Sequence, residues 1–200
     1  SAKTVKLYRE IIDNSAKPYL PAYMGLLNVF RLDKNYFEAR VLLEVMVERF
    51  GPRRDFLAEL CKYYYEGNFL ESSVKTCQNA IAQSRSMAEN NVYLALSYQR
   101  MADKKQQAKK ILIQASKEFR KSEFAQWAAG NMYLLANDYL SAFKYFETAV
   151  KIDGTSARSL VGLAETAFEL KKFELSFESF KNACAKDRSA APLFKKRAAD

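Results

Sequence analysis

The chain has 200 residues, 49% of them hydrophobic, a formal net charge of +9 and no histidine. That length allows one or two ordinary domains or one elongated array of repeats, and the lack of histidine excludes His-based triads, His-ligated metals and His proton shuttles. Twelve Tyr and 14 Phe against six Gly and four Pro favour long helices over a turn-rich β architecture.

No uninterrupted apolar run of about eighteen residues occurs, so no membrane-spanning helix is expected. The N-terminus lacks the basic, apolar and small-residue succession of a secretory signal. Cys61, Cys77 and Cys184 have no metal-binding or redox spacing. They read as core thiols in a reducing compartment, and the cytoplasm is the expected location.

In chain order, residues 1–17 place Val5, Tyr8, Ile11 and Ile12 at helical spacing and stop at Asn14-Ser15 and Pro18. Residues 20–52 follow as two helices. Tyr23, Leu26, Leu27 and Phe30 form the first apolar face, Asp33-Lys34-Asn35 a turn, and Ala39, Leu43 and Met46 the second face; Asn35 with Glu38 has the form of a capping box. Residues 54–87 repeat this with Leu57, Leu60, Cys61 and Tyr64, a turn at Glu66-Gly67-Asn68, a second capping box at Asn68 and Glu71, then Ser73, Cys77 and Ala80.

Residues 90–122 carry Tyr93, Leu96 and Ser97, then Ala108, Leu112 and Ala115. Arg100 replaces the expected aromatic and the turn at Asp103-Lys104 is a residue short, so this unit is expected to be the least stable. Residues 123–156 and 157–190 follow in register. Residues 191–200 open a further helix with Pro192 in its first turn, read as a polar terminal cap or as the start of a sixth unit.

Residues 123–156 span 34 positions and carry the pattern most fully. Gly130 and Tyr133 lie on the first helix; Tyr139, Ala142, Phe146 and Ala149 recur at steps of three and four on the second. Small residues at Gly130 and Ala142 let two backbones approach, and the aromatics fill the space on either side. A helix pair this short cannot bury its own apolar face, so a neighbour of the same kind must cover it.

This spacing resembles the tetratricopeptide repeat. The match departs from the family pattern at Gln126, Ala129 and Gly154, where an aromatic, a Leu and a Pro are usual. The resemblance covers nearly the whole chain. It implies an all-α fold, a right-handed α-solenoid of tetratricopeptide-like helix-turn-helix repeats, in a single domain over residues 1–200. The units are a half repeat at 1–17, repeats at 20–52, 54–87, 90–122, 123–156 and 157–190, and the cap at 191–200.

No catalytic constellation stands out. The glycines are scattered rather than gathered in a phosphate loop, and no histidine could activate a cysteine. The reading is a non-enzyme with no cofactor and no metal. Family resemblance instead places groove-facing side chains on the first helix of each repeat. Leu94, Tyr98, Phe124, Trp127 and Phe168 make that wall apolar, Asn131 offers an amide, and Arg31, Lys62 and Arg158 offer charge. The expected partner is a protein or peptide with an apolar and acidic segment, held in the concave groove by a module of a larger protein. The alternatives are a second copy of this chain across a two-fold axis, or an output role in a signalling protein. The sequence allows both an open groove and aromatics covered by tight curvature. A third surface is electrostatic: Lys104, Lys105, Lys109, Lys110, Lys117, Arg120 and Lys121, with Arg100, face only Asp103 and Glu118 in sequence. They form a candidate polyanion-binding face, with nucleic acid ranked behind protein because no base-reading motif accompanies it.

Overall fold

The structure, a computed structural model, describes residues 2–83 and 87–187; the cap or sixth repeat expected at 191–200 lies outside the described residues. Among the described residues every regular element is a helix, as the repeat pattern requires. The helices are α1 (Ala2–Asn14), α2 (Leu20–Leu32), α3 (Tyr36–Phe50), α4 (Arg54–Glu66), α5 (Leu70–Gln83), α6 (Ala88–Arg100), α7 (Lys105–Glu118), α8 (Glu123–Leu135), α9 (Tyr139–Ile152), α10 (Ala157–Glu169) and α11 (Phe173–Lys186).

Four of the hairpin turns share one device, a non-glycine residue in the left-handed region: Lys34, Asn68, Asn137 and Lys171, with φ between 54° and 61°. In two of them the next residue caps the second helix. Asn35 accepts a hydrogen bond from the Glu38 amide at 3.3 Å and Asp138 accepts one from the Ser141 amide at 3.1 Å, each satisfying a donor that the helix start leaves open. The second capping box does not form. Asn68 takes the left-handed position that Lys34 takes in the first hairpin, so Phe69 falls where Asn35 stands, and a phenyl ring cannot accept from the helix amides.

The chain divides into two compact units, Ser1–Lys105 and Gln106–Asp200. In the first, Tyr23, Leu26, Leu27 and Phe30 of α2 meet Ala39, Leu43 and Met46 of α3 and Phe56, Leu60 and Tyr63 of α4, with Val5, Tyr8 and Ile12 of α1 packed against them. The expectation of core thiols is corrected here: Cys61 of α4 and Cys77 of α5 form a disulfide across one hairpin, with their Cα atoms 5.0 Å apart, and only Cys184 is free. Both positions face inward at equivalent heights on antiparallel helices, which is why core spacing and bridge spacing coincide. A buried polar chain runs beside it. The Ser97 hydroxyl donates to the Ser73 hydroxyl at 2.9 Å, and Ser73 donates to the Cys61 carbonyl at 3.1 Å.

The second unit is built around one ring. Phe146 of α9 is 1% exposed and sits between Gly130 of α8 and Gly162 of α10. A Cβ at 130 would meet the ring at 3.0 Å and one at 162 at 2.4 Å. Ala128, Ala129, Ala142, Ala149, Ala164 and Ala167 are likewise buried. Small residues let three helices close on one phenylalanine, whose burial contributes about 1.5–3 kcal/mol.

Candidate functional site

The hairpin geometry sets the first helices α8 and α10 of the second unit side by side, and a pocket of about 340 Å³ opens between them. Its apolar lining is Trp127, Leu134, Phe146 and Val161; its polar lining is Asn131, Arg158, Glu165 and Asp187. Trp127 and Asn131 are one helical turn apart on α8, as are Arg158 and Val161 on α10, so each helix offers one stripe to the same space.

Glu123 organises the rim. It is nearly buried, with 11% of its side chain exposed, and it gathers donors from the start of α10. Its carboxylate accepts from the Ser156 hydroxyl at 2.6 Å, from Arg158 Nε at 3.1 Å, and from Arg158 Nη2 and the Ser159 hydroxyl. Burial pushes this carboxyl up, but the bonds from Arg158, Ser156 and Ser159 outweigh it and hold the group below its ordinary value. The guanidinium so fixed lies 4.4 Å from the Phe124 ring centre and 5.1 Å from that of Trp127. Those two rings stack on each other at 5.7 Å with planes 14° apart. Arg158, Phe124 and Trp127 therefore form a pre-ordered stack, with cation–π attraction of about 0.5–2 kcal/mol holding its charged end.

The structure brings four of the sequence-derived candidates, Phe124, Trp127, Asn131 and Arg158, into this one place. Phe124 is 9% exposed and Leu94 7%, so the picture of an exposed apolar wall is corrected at both: they are covered, and Phe124 acts by backing Trp127. Phe168 is exposed and makes an edge contact with Phe173 of α11 at 5.6 Å, away from the residues that line the pocket. Tyr98 belongs to the first unit. Its hydroxyl accepts from Gln78 Nε2 at 3.1 Å, and the Lys104 ammonium lies 5.8 Å from its ring.

The three cations picked from the sequence to orient a partner each have a carboxylate within the chain. Arg31 is paired with Glu59, Lys62 with Glu66 at 3.8 Å, and Arg158 with Glu123. Glu59 raises the Arg31 guanidinium above its ordinary value. Sequence reasoning missed Glu123 and Glu59 as partners. The available signal was the repeat distance itself: Glu123 and Arg158 are 35 positions apart, one repeat plus one residue, which puts them at matching ends of neighbouring first helices.

No family model matches the sequence, and no curated protein matches it. Solved structures do. A MamA crystal structure shares 17% identity with a TM-score of 0.58, over 84% of this chain and 97% of that one. A thermophilic TPR protein of Thermus thermophilus shares 13% identity with a TM-score of 0.67, over 99% of this chain and 97% of that one. The APC/C hetero-tetramer Cut9–Hcn1 shares 13% identity with a TM-score of 0.74, over 97% of this chain but 39% of that one. At these identities the likeness is one of fold, and the fold of this chain is the all-α helical-repeat fold of tetratricopeptide-repeat proteins.

Proposed function

We propose that the chain is a protein-interaction scaffold, a module of a larger protein, that holds one segment of a partner between α8 and α10. The observation that carries this is the pocket with its pre-ordered stack: Trp127 is fixed in orientation by Phe124 behind it and Arg158 beside it, at the mouth of about 340 Å³ of space. A fixed aromatic beside an apolar floor loses little side-chain freedom on binding, which is what concentrates affinity at such residues. An aliphatic or aromatic side chain of the partner would rest on Trp127, Leu134 and Val161. The Asn131 amide would bond the partner's backbone. Arg158, engaged by Glu123, would act by holding the stack rather than by reading an acidic residue. Phe168, Leu94, Tyr98, Arg31 and Lys62 fall outside this minimal site. The cytoplasm remains the proposed location. The Cys61–Cys77 bridge speaks against it, because such bonds persist mainly in oxidising compartments; alkylation of the protein in intact cells decides, three free thiols supporting the cytoplasm and one overturning it.

The chain has a single tryptophan, so its fluorescence reports on this site alone. A displayed random-peptide library is selected on the full chain, and enriched peptides are titrated against Trp127 emission. The expected result is peptides with one large apolar residue that shift the emission and lose about tenfold or more in affinity against Asn131→Ala or Val161→Ala, as hot-spot truncations do. Peptides that bind without moving Trp127 emission, and equally well to both variants, would put the interaction surface elsewhere.

A further inference from the structure

Among the described residues nine lysines and arginines hold salt bridges, and none of these nine lies between positions 104 and 121. In the second unit that segment is α7 and the turn after it. Lys109, Lys110, Lys117, Arg120 and Lys121 lie there, all exposed, with Glu118 the single acid among them. Lys110, Gln114 and Lys117 recur at steps of four and three and so share a face. With Ile113 and Glu118 they line a shallow hollow, its floor the half-buried Ile113. Lysines at the helix C-terminus would complement the helix dipole; Lys109 and Lys110, in its middle, gain nothing from it.

We propose that this face of α7 docks an acidic protein segment, with carboxylates meeting Lys110 and Lys117 and one aliphatic side chain seated on Ile113. Three features select that partner. The cations lining the hollow are lysines, compact point charges that pair with single carboxylates, and the arginine nearby, Arg120, donates to the Lys117 carbonyl at 3.2 Å. No exposed aromatic on α7 offers a stacking platform for single-stranded nucleic acid. No exposed large apolar side chain on α7 is available for insertion into a lipid surface. An apolar floor between two lysines gives nothing to a phosphate backbone but suits an aliphatic residue flanked by carboxylates. This surface stands independently of the pocket between α8 and α10.

The test uses the full chain, labelled for backbone amide NMR, and three probes: a short polyglutamate peptide with one central leucine, a short DNA duplex, and phosphatidylserine vesicles. The peptide is expected to shift the amides of residues 110–118, to weaken about tenfold with Lys110→Gln/Lys117→Gln as rim and contact charges do, and to weaken when its leucine becomes serine. Asn131→Ala is expected to leave it unchanged, which separates failure here from failure of the pocket. Tighter binding of the duplex or the vesicles than of the peptide overturns the proposal. So does peptide binding that ignores the lysine substitutions or the leucine, or the absence of any shift on α7.

Discussion

The two units solve the same packing problem with different materials. The first fills its interior with rings and a cross-link and ties its surface with ions. Tyr23 and Phe50 meet edge to face at 5.2 Å, Tyr65 and Tyr93 lie 5.6 Å apart, Arg100 covers Tyr65 at 4.1 Å, and Cys61 bridges to Cys77. The second brings its helices close through Gly and Ala and places one ring, Phe146, where three helices meet. Distributed contacts degrade gradually when one is lost. A single ring in a slot of glycines has no substitute, because no neighbouring side chain can extend into the hole.

The sharpest way to break this comparison is Phe146→Ala. Loss of a buried phenylalanine costs about 3–5 kcal/mol, and a slot walled by glycine relaxes poorly, so the upper part of that range is expected. Hydrogen exchange should show amides of α8, α9 and α10 losing protection while α2, α3 and α4 keep theirs. Equal loss in both units would mean that the second is not organised around its ring.

Second in size is the cross-link. It closes a loop with a sequence separation of 16, for which chain entropy gives about 3 kcal/mol. Reduction, or Cys61→Ser with Cys77→Ser, should lower the denaturant midpoint of the first unit by that order and leave exchange on α8–α11 unchanged. Because Ser73 and Ser97 remain hydrogen-bonded beside the site, the reduced hairpin should keep its fold at neutral pH.

How much of this was readable beforehand follows from which forces repeat. The helices were legible because apolar residues at steps of three and four commit a segment to one face, and the Gly130, Ala142, Phe146 register announced a close approach. Turn chemistry was half legible. Asn35 and Asn68 look alike in sequence, yet one caps and the other bends, because a single position's slip exchanges their roles. The site was legible at Trp127 and Asn131 and misleading at the cations. Charges on helix surfaces find partners across repeats, at separations such as the 28 positions from Arg31 to Glu59, and no local pattern marks them. The disulfide was hidden because a bridge and a pair of packed thiols need the same inward-facing positions.

A third, smaller test sharpens the ring-and-ion character of the first unit. The Tyr64 hydroxyl donates to Glu44 at 2.8 Å. Burial first, and then that carboxylate, push the phenol from 10.0 to about 12. The folded state holds the proton more tightly, so the stabilisation is complete below pH 10 and drains away as pH rises toward 12. Tyr64→Phe should cost about 1 kcal/mol at neutral pH and flatten the alkaline loss. An unchanged alkaline limb would assign that loss to other groups.

The smallest effect separates the units by sign. Glu66 ends α4 in the first unit, and burial, only partly offset by Lys62, raises its carboxyl above 4.5. Glu123 opens α8 in the second, and its bonds from Arg158, Ser156 and Ser159 lower it below 4.5 despite burial. A raised carboxyl binds its proton more tightly when folded, so the contribution of Glu66 is present in acid and is lost as pH rises through its folded value. A lowered carboxyl behaves oppositely: the contribution of Glu123 is present above its ordinary value and is lost as pH falls through the depressed one. Mild acidification should therefore favour the C-terminal turn of α4 while it loosens the junction of α8 with α10. Glu66→Gln should raise first-unit stability near neutral pH and remove its gain in acid. Glu123→Gln should lower second-unit stability near neutral pH and remove its loss in acid. Urea titrations at several pH values, with amide exchange as the readout, distinguish these slopes. If both variants change stability in the same direction at neutral pH, the two carboxylates share one environment, and the contrast between an ion-tied unit and a slot-packed one does not extend to their charges.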